Sequence, residues 1–249
     1  MKKTALILAF ALGAIFNSQA QNNSYNWGKL DSTKEIGNWG WLYGVAIPNS
    51  DFASTDKTSK SAGRANIGSN AGIFLNYQFG KKKRHGLILQ MQSQEFSLNN
   101  GANNERLANL FGGYVVNSSS IGKYSMTHIG LGHNISWKVN DKHSFTFKYI
   151  LSYMAFRTPG YEATFANGDK IAVSEGSGGR GGFTLAVNYK LNFHPRMFLI
   201  AELSSNSHTL YYNTQAKISG FSTETLSNSL STSNTNLSIG LGFRMYKKK

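Results

Sequence analysis

Between residues 183 and 193 the side chains alternate strictly. Phe183, Leu185, Val187, Tyr189, Leu191 and Phe193 fall on one side, and Thr184, Ala186, Asn188, Lys190 and Asn192 on the other. A strand sends successive side chains to opposite faces, so this stretch predicts a ribbon with one apolar and one polar face. At about ten residues it is long enough for a tilted strand to cross a bilayer. The same rhythm returns at 39–47, 65–79, 86–98, 125–139, 143–156, 197–211 and 236–246. It is broken at Phe74 and Phe96, which fall on the polar side, at Glu95, which falls on the apolar side, and at Ile150 and Met154. Pro48 is expected to stop the first strand. Residues 107–116 are apolar but keep neither the strand nor the helix period. They read as a short hairpin in a long loop or as an unplaced strand.

The connections alternate in length. Those at 80–85, 140–142 and 194–196 are short, and those at about 48–64, 99–123, 157–180 and 212–235 are long. Within 157–180, residues 164–166 and 170–173 around Asn167-Gly168 predict a small hairpin beyond the main strands, followed by a flexible glycine-rich run at 176–182. About eight strands with this rhythm predict an all-β, up-and-down antiparallel membrane barrel, with ten strands as the alternative. Short turns and both termini lie on the periplasmic side, and long loops lie outside.

The glycines indicate which face points outward. Gly40, Gly44, Gly68, Gly72, Gly130, Gly132, Gly240 and Gly242 all share the polar face. Glycine weakens a strand, and is useful where a narrow lumen must fit long polar side chains. The aromatics Trp39, Trp41, Tyr77, Phe79, Trp137, Tyr189 and Phe193 gather toward strand ends, as an interfacial girdle does. The apolar row therefore faces lipid. The alternative is a soluble lipocalin-like barrel with that row turned inward around a ligand.

Composition narrows the setting. Residues 1–20 read as an export signal: Lys2 and Lys3, an apolar run from Ala5 to Phe16, and Ser18-Gln19-Ala20 as a small-x-small cleavage site. Residues 21–35 form a polar lead-in, and residues 36–249 the barrel. The chain has 249 residues and no cysteine, which removes disulfides, thiolate chemistry and a lipoprotein anchor. The formal charge of +14 raises nucleic acid as a partner. The export signal and the placement of basic residues in turns, without interleaved stacking aromatics, argue against it.

The signal, the alternating strands, the loop asymmetry and the final run Ile239-Gly240-Leu241-Gly242-Phe243-Arg244-Met245-Tyr246 resemble the small outer-membrane β-barrels of the OmpA/OmpX type and the PorT-like barrel domain. The resemblance covers nearly all of the chain after residue 20. It departs at the end, where Tyr246 has inward parity and three lysines follow. The OmpA likeness covers the barrel only, with no peptidoglycan-binding domain expected. The resemblance implies an outer-membrane location and, on the PorT-like side, a secretion accessory role.

The candidate sites are sparse. Lys148, Lys190, Glu202 and Arg244 have inward parity on nearby strands, and Glu202 is expected to bridge Lys190 and Arg244 as part of a structural interior network. The basic turn Lys81-Lys82-Lys83-Arg84 is placed to meet anionic headgroups or a periplasmic partner. A lipid A-modifying enzyme would need a serine–histidine pair. Ser204 and His208 share a face but stand about 13 Å apart at ~3.3 Å per residue, so no catalytic pair is expected. The six histidines (85, 128, 133, 143, 194 and 208) show no metal-ligand spacing, and Glu162, Asp169 and Glu175 read as solvated loop acids. No metal, cofactor or enzymatic activity is expected. The expected partners are outer-membrane lipids and an envelope or secretion-system protein, with the barrel itself a monomer. The functional expectation is a plugged barrel with a structural, adhesion or secretion-accessory role.

Overall fold

The computed structural model describes residues 35–247, apart from 57, 60–61, 81, 113–114, 121 and 220–222. The expected signal and most of the lead-in lie outside the described residues. The strands are β1 (Glu35–Asn49), β2 (Gly68–Phe79), β3 (His85–Ser97), β4 (Val115–Ser120), β5 (Lys123–Lys138) and β6 (His143–Arg157). They continue with β7 (Tyr161–Phe165), β8 (Lys170–Val173), β9 (Ser177–His194), β10 (Met197–Ile218) and β11 (Glu224–Tyr246). Two helices interrupt the series, α1 (Ser50–Ala53) and α2 (Asn100–Phe111).

Eight strands close a ring in the order β11-β1-β2-β3-β5-β6-β9-β10, with β10 pairing back to β11. Every pairing in the ring is antiparallel, between ring strands that follow one another along the chain or between the first and last strands. The fold is an up-and-down membrane β-barrel of eight strands, not ten. The apolar row faces out: Ile73, Leu89, Leu131, Leu151, Leu185, Val187 and Ile239 are exposed, the last at 71%. Asn188 and Lys190 are buried in the lumen. In water each such apolar side chain would forgo about 1.5–3 kcal/mol of burial, so a continuous band of them requires a hydrocarbon neighbour.

Several boundaries differ from the sequence reading. Residues 99–123 hold a helix and the short strand β4, not a hairpin or a ring strand. Asn99 caps α2 by accepting a hydrogen bond from the Ala102 amide at 3.1 Å, and Gly112 ends it in the left-handed region at φ 61°. Pro48 does not stop β1, which runs on to Asn49. There it faces Asn234 of β11, while the pairing to β2 has already ended at Ala46, so a missing donor is tolerated. The glycine-rich run expected to be flexible forms the start of β9. β10 and β11 reach well past the ring, to 218 and from 224. The small hairpin at Asn167-Gly168 is present as β7–β8, paired Tyr161 to Val173. With β4 and the far end of β10 it builds a crown at the loop end of the barrel.

Candidate functional site

The lumen is filled in layers. Toward the turn end, Leu42, Phe74, Ile88, Ile150, Phe198 and Ile200 form an apolar cluster. Phe74 and Ile150 broke the alternation because they belong to this plug. Small residues alternate with large ones to make it fit. Gly132 lies between Ile88 and Ile150 in neighbouring strands. Gly242 faces Phe198, and a Cβ there would stand 2.1 Å from that ring, so only glycine lets Phe198 lie across β11.

Charges thread this layer. Lys148 Nζ donates to Glu202 Oε2 at 2.6 Å, with both side chains almost wholly buried. Gln90 ties the pair together: Lys148 donates to its Oε1 at 3.2 Å, and its Nε2 donates to Glu202 Oε1 at 3.2 Å. The partner of Glu202 is therefore Lys148, not Lys190 and Arg244. Lys190 instead donates to Asn38 Oδ1 at 3.5 Å and lies over the Phe198 ring. Arg244 pairs with Glu35 at 3.5 Å and donates to the Pro195 carbonyl at 3.0 Å. Tyr246 donates to the same carbonyl at 2.6 Å, which gives its inward parity a purpose: it ties the chain's last ring residue to the β9–β10 turn.

The middle of the lumen is an amide and hydroxyl network centred on Gln94. Its Nε2 donates to Asn236 Oδ1 at 3.0 Å and to the Oδ1 atoms of Asn70 and Asn234 at 3.4 Å. Its Oε1 accepts from Asn234 Nδ2 at 3.1 Å and faces His128 Nε2 at 3.2 Å. Asn206 links Asn234 to Thr184. Buried polar groups must find partners, and this layer supplies most of them mutually, although His128 Nδ1 has none among the described residues.

A second apolar cluster closes the loop end: Ala46, Phe96, Leu98, Tyr124, Met126, Met154, Phe156, Leu210 and Leu230 among others. Helix α1 drops Phe52 into it, fully buried, edge-on to Phe96 at 4.9 Å and Tyr124 at 5.2 Å. Backbone bonds from Gly63 to Asp51 and from Ala65 to Phe52 fold the segment down, and Tyr124 donates to the Gly63 carbonyl at 2.6 Å. Arg64 staples the same segment, donating to the carbonyls of Ala62, Asp56 and Ser59. Burial, and then the nearby Arg106, hold its guanidinium below the ordinary arginine value.

Above this lid the crown has its own core of Leu107, Ala163, Phe165 and Ile171, with Val115, Tyr161, Val173 and Ile218 against it. A cleft of about 410 Å³ opens beside it, lined by Tyr161, Glu162, Glu175, Gln215 and Lys217 among others. Leu110 and Phe111, at the end of α2, are exposed. At the opposite, turn end, Lys82, Lys83 and Arg84 form the tight connection between β2 and β3; Lys81 lies outside the described residues.

This ring has counterparts among solved structures. The major outer membrane protein of Thermus thermophilus is similar at a TM-score of 0.50 and 10% identity, over 84% of this chain and 99% of that one. The fold is that of an outer-membrane β-barrel. Neisserial surface protein A (TM-score 0.45, 11% identity, 84% of this chain and 97% of that one) is a further structural neighbour. So is OprG of Pseudomonas aeruginosa (0.47, 10%, 86% and 98%). No family model matches the chain, and no curated protein sequence matches it.

The barrel does contain a serine–histidine contact, but not on one strand. Ser152 Oγ and His208 Nε2 are 3.1 Å apart. They flank Gly182 of β9, where a Cβ would meet His208 Cδ2 at 2.2 Å. The missing side chain lets His208 lie across β9 toward β6 and against His128, ring centroids 4.9 Å apart. His208 Nδ1 has no hydrogen-bond partner among the described residues, so no acid orients the imidazole. The pair also sits buried inside the lumen, away from lipid. Strand parity placed Ser152 and His208 inward, but only the ring order reveals that one glycine separates them. Of the loop acids, Asp169 accepts from Asn167 at 2.7 Å, and Glu162 and Glu175 border the crown cleft.

Proposed function

We propose that the chain is an integral protein of a bacterial outer membrane, a sealed β-barrel that anchors a recognition crown on the cell's outer face. The observation that carries this reading is the lumen, closed by two apolar layers with a hydrogen-bonded polar layer between them. A barrel packed in this way holds no continuous water path, so its interior serves stability and not transport. Binding residues concentrate on loops held by a rigid scaffold. Here the loops carry a separate core, a cleft with both acid and base on its rim, and exposed Leu110 and Phe111. In this reading the barrel is a monomer bound by outer-membrane lipids, it performs no catalysis, and its partner is a surface or envelope protein.

Cell fractionation should place the protein in the outer membrane, and unheated samples should migrate differently from boiled ones on a gel. Envelope crosslinking through residues placed in α2 should capture a partner. A secretion component in that complex would favour the PorT-like role, whereas a surface ligand would favour adhesion. Recovery of the folded protein in the soluble periplasm would overturn the reading.

A further inference from the structure

Two imidazoles stand side by side on the lipid-facing wall, at its turn-end rim. His85 opens β3 and His133 lies on β5. Their register is diagonal, since Leu87 faces His133 and His85 faces Ile135. Diagonal neighbours on one sheet face are within reach of long side chains. The rings stack with centroids 5.3 Å apart and planes 25° apart. His85 Nδ1 lies 3.3 Å from His133 Nε2. Phe79, directly opposite His85 on β2, backs both rings, with centroids 6.2 and 6.3 Å away. His85 is exposed and His133 half-buried, so the pair borders the interface.

We propose that His85 and His133 bind a divalent first-row transition ion of the zinc, copper or nickel class. Imidazole nitrogens suit these ions. Two nitrogens each about 2.0–2.1 Å from a tetrahedral centre stand roughly 3.3 Å apart, which is the spacing already present. Three packed rings hold that spacing before any ion arrives, so little side-chain freedom is lost on binding. In the ion-free pair one ring's N–H donates a hydrogen bond to the other ring's nitrogen. On binding, that ring carries its proton on its far nitrogen instead, exchanged through water, and both facing lone pairs meet the metal. The two rings stay neutral and no electron is transferred. Among the described residues no set of three His, Cys, Asp or Glu side chains converges, so water completes the sphere. Lys82, Lys83 and Arg84 precede the site and oppose a cation, which keeps the affinity modest.

The test is a Cu2+ titration of the tag-free, full-length barrel in detergent, followed by electron paramagnetic resonance, with Zn2+ as competitor. The expected result is one equivalent bound through two imidazole nitrogens and displaced by Zn2+. His85→Gln and His133→Gln should each weaken binding by at least about tenfold, the lower end of what losing even an outer-sphere partner does. Heat-modifiable mobility will show that both variants are folded. His143→Gln, at another wall histidine held by Tyr189, should leave binding unchanged. Copper without imidazole coordination, binding that survives either of the first two changes, or binding lost in His143→Gln would overturn the assignment.

Discussion

Lys148 and Glu202 show how much one buried contact depends on its partner. Removing Glu202 leaves an ammonium in the lumen that keeps its contacts with Gln90 and the Phe74 ring but has lost its counter-charge. Glu202→Ala should therefore lower unfolding stability in denaturant by about 3–5 kcal/mol, the range for a broken buried pair. Replacing both ends, Lys148→Met with Glu202→Leu, should restore most of that loss, because two apolar side chains need no compensation in an apolar layer. A silent single variant would mean that the pair does not hold the lumen together. Gly242 makes the steric counterpart. Gly242→Ala drives a methyl into Phe198 and should destabilise by about 1–3 kcal/mol. Added to Phe198→Leu, the same change should have a much smaller effect, and strict additivity would refute the contact. Inward parity for Lys148, Lys190, Glu202 and Arg244 was legible in the sequence. Which charges meet was not, because parity gives a side and leaves the distance across the lumen open.

At the scale of elements, the loop-end lid is the clearest departure from what periodicity can report. α1 is a single turn with one buried side chain, too short to leave a repeating signal. Phe52→Ala should lower stability by about 3–5 kcal/mol through the cavity left under it. It should also speed hydrogen exchange at the Gly63 and Ala65 amides, which bond to Asp51 and Phe52, while turn-end amides keep their protection. Uniform loss of protection along the strands would instead mark Phe52 as part of the global fold. α2 was missed for a related reason. Its buried face is only Asn103 and Leu107, so its apolar residues trace neither period. The extension of β11 carries Ser, Thr and Asn on both faces, and shows strand periodicity only once it is paired with β10.

For the whole molecule, two apolar layers imply a barrel without a standing conductance. Reconstituted in planar bilayers, the protein should give a baseline no different from lipid alone. Gln94→Ala, which leaves Asn234, Asn236 and His128 short of partners, should lower stability by about 1–3 kcal/mol per unpaired group without opening a path. Steady open-channel steps from the unmodified barrel would contradict the sealed lumen.

The alternation of side chains along each ribbon predicted the ring strands, the outward apolar face, the lumenal glycines and, with ten strands as the alternative, a ring of about eight. A two-residue period is a local property, and a ring in which one face meets lipid makes it visible. The partners inside the lumen, the Ser152–His208 contact across Gly182, the lid and the crown were decided only by closure. Shear and strand tilt set which inward residues share a height, and those are properties of the closed ring that no single strand carries.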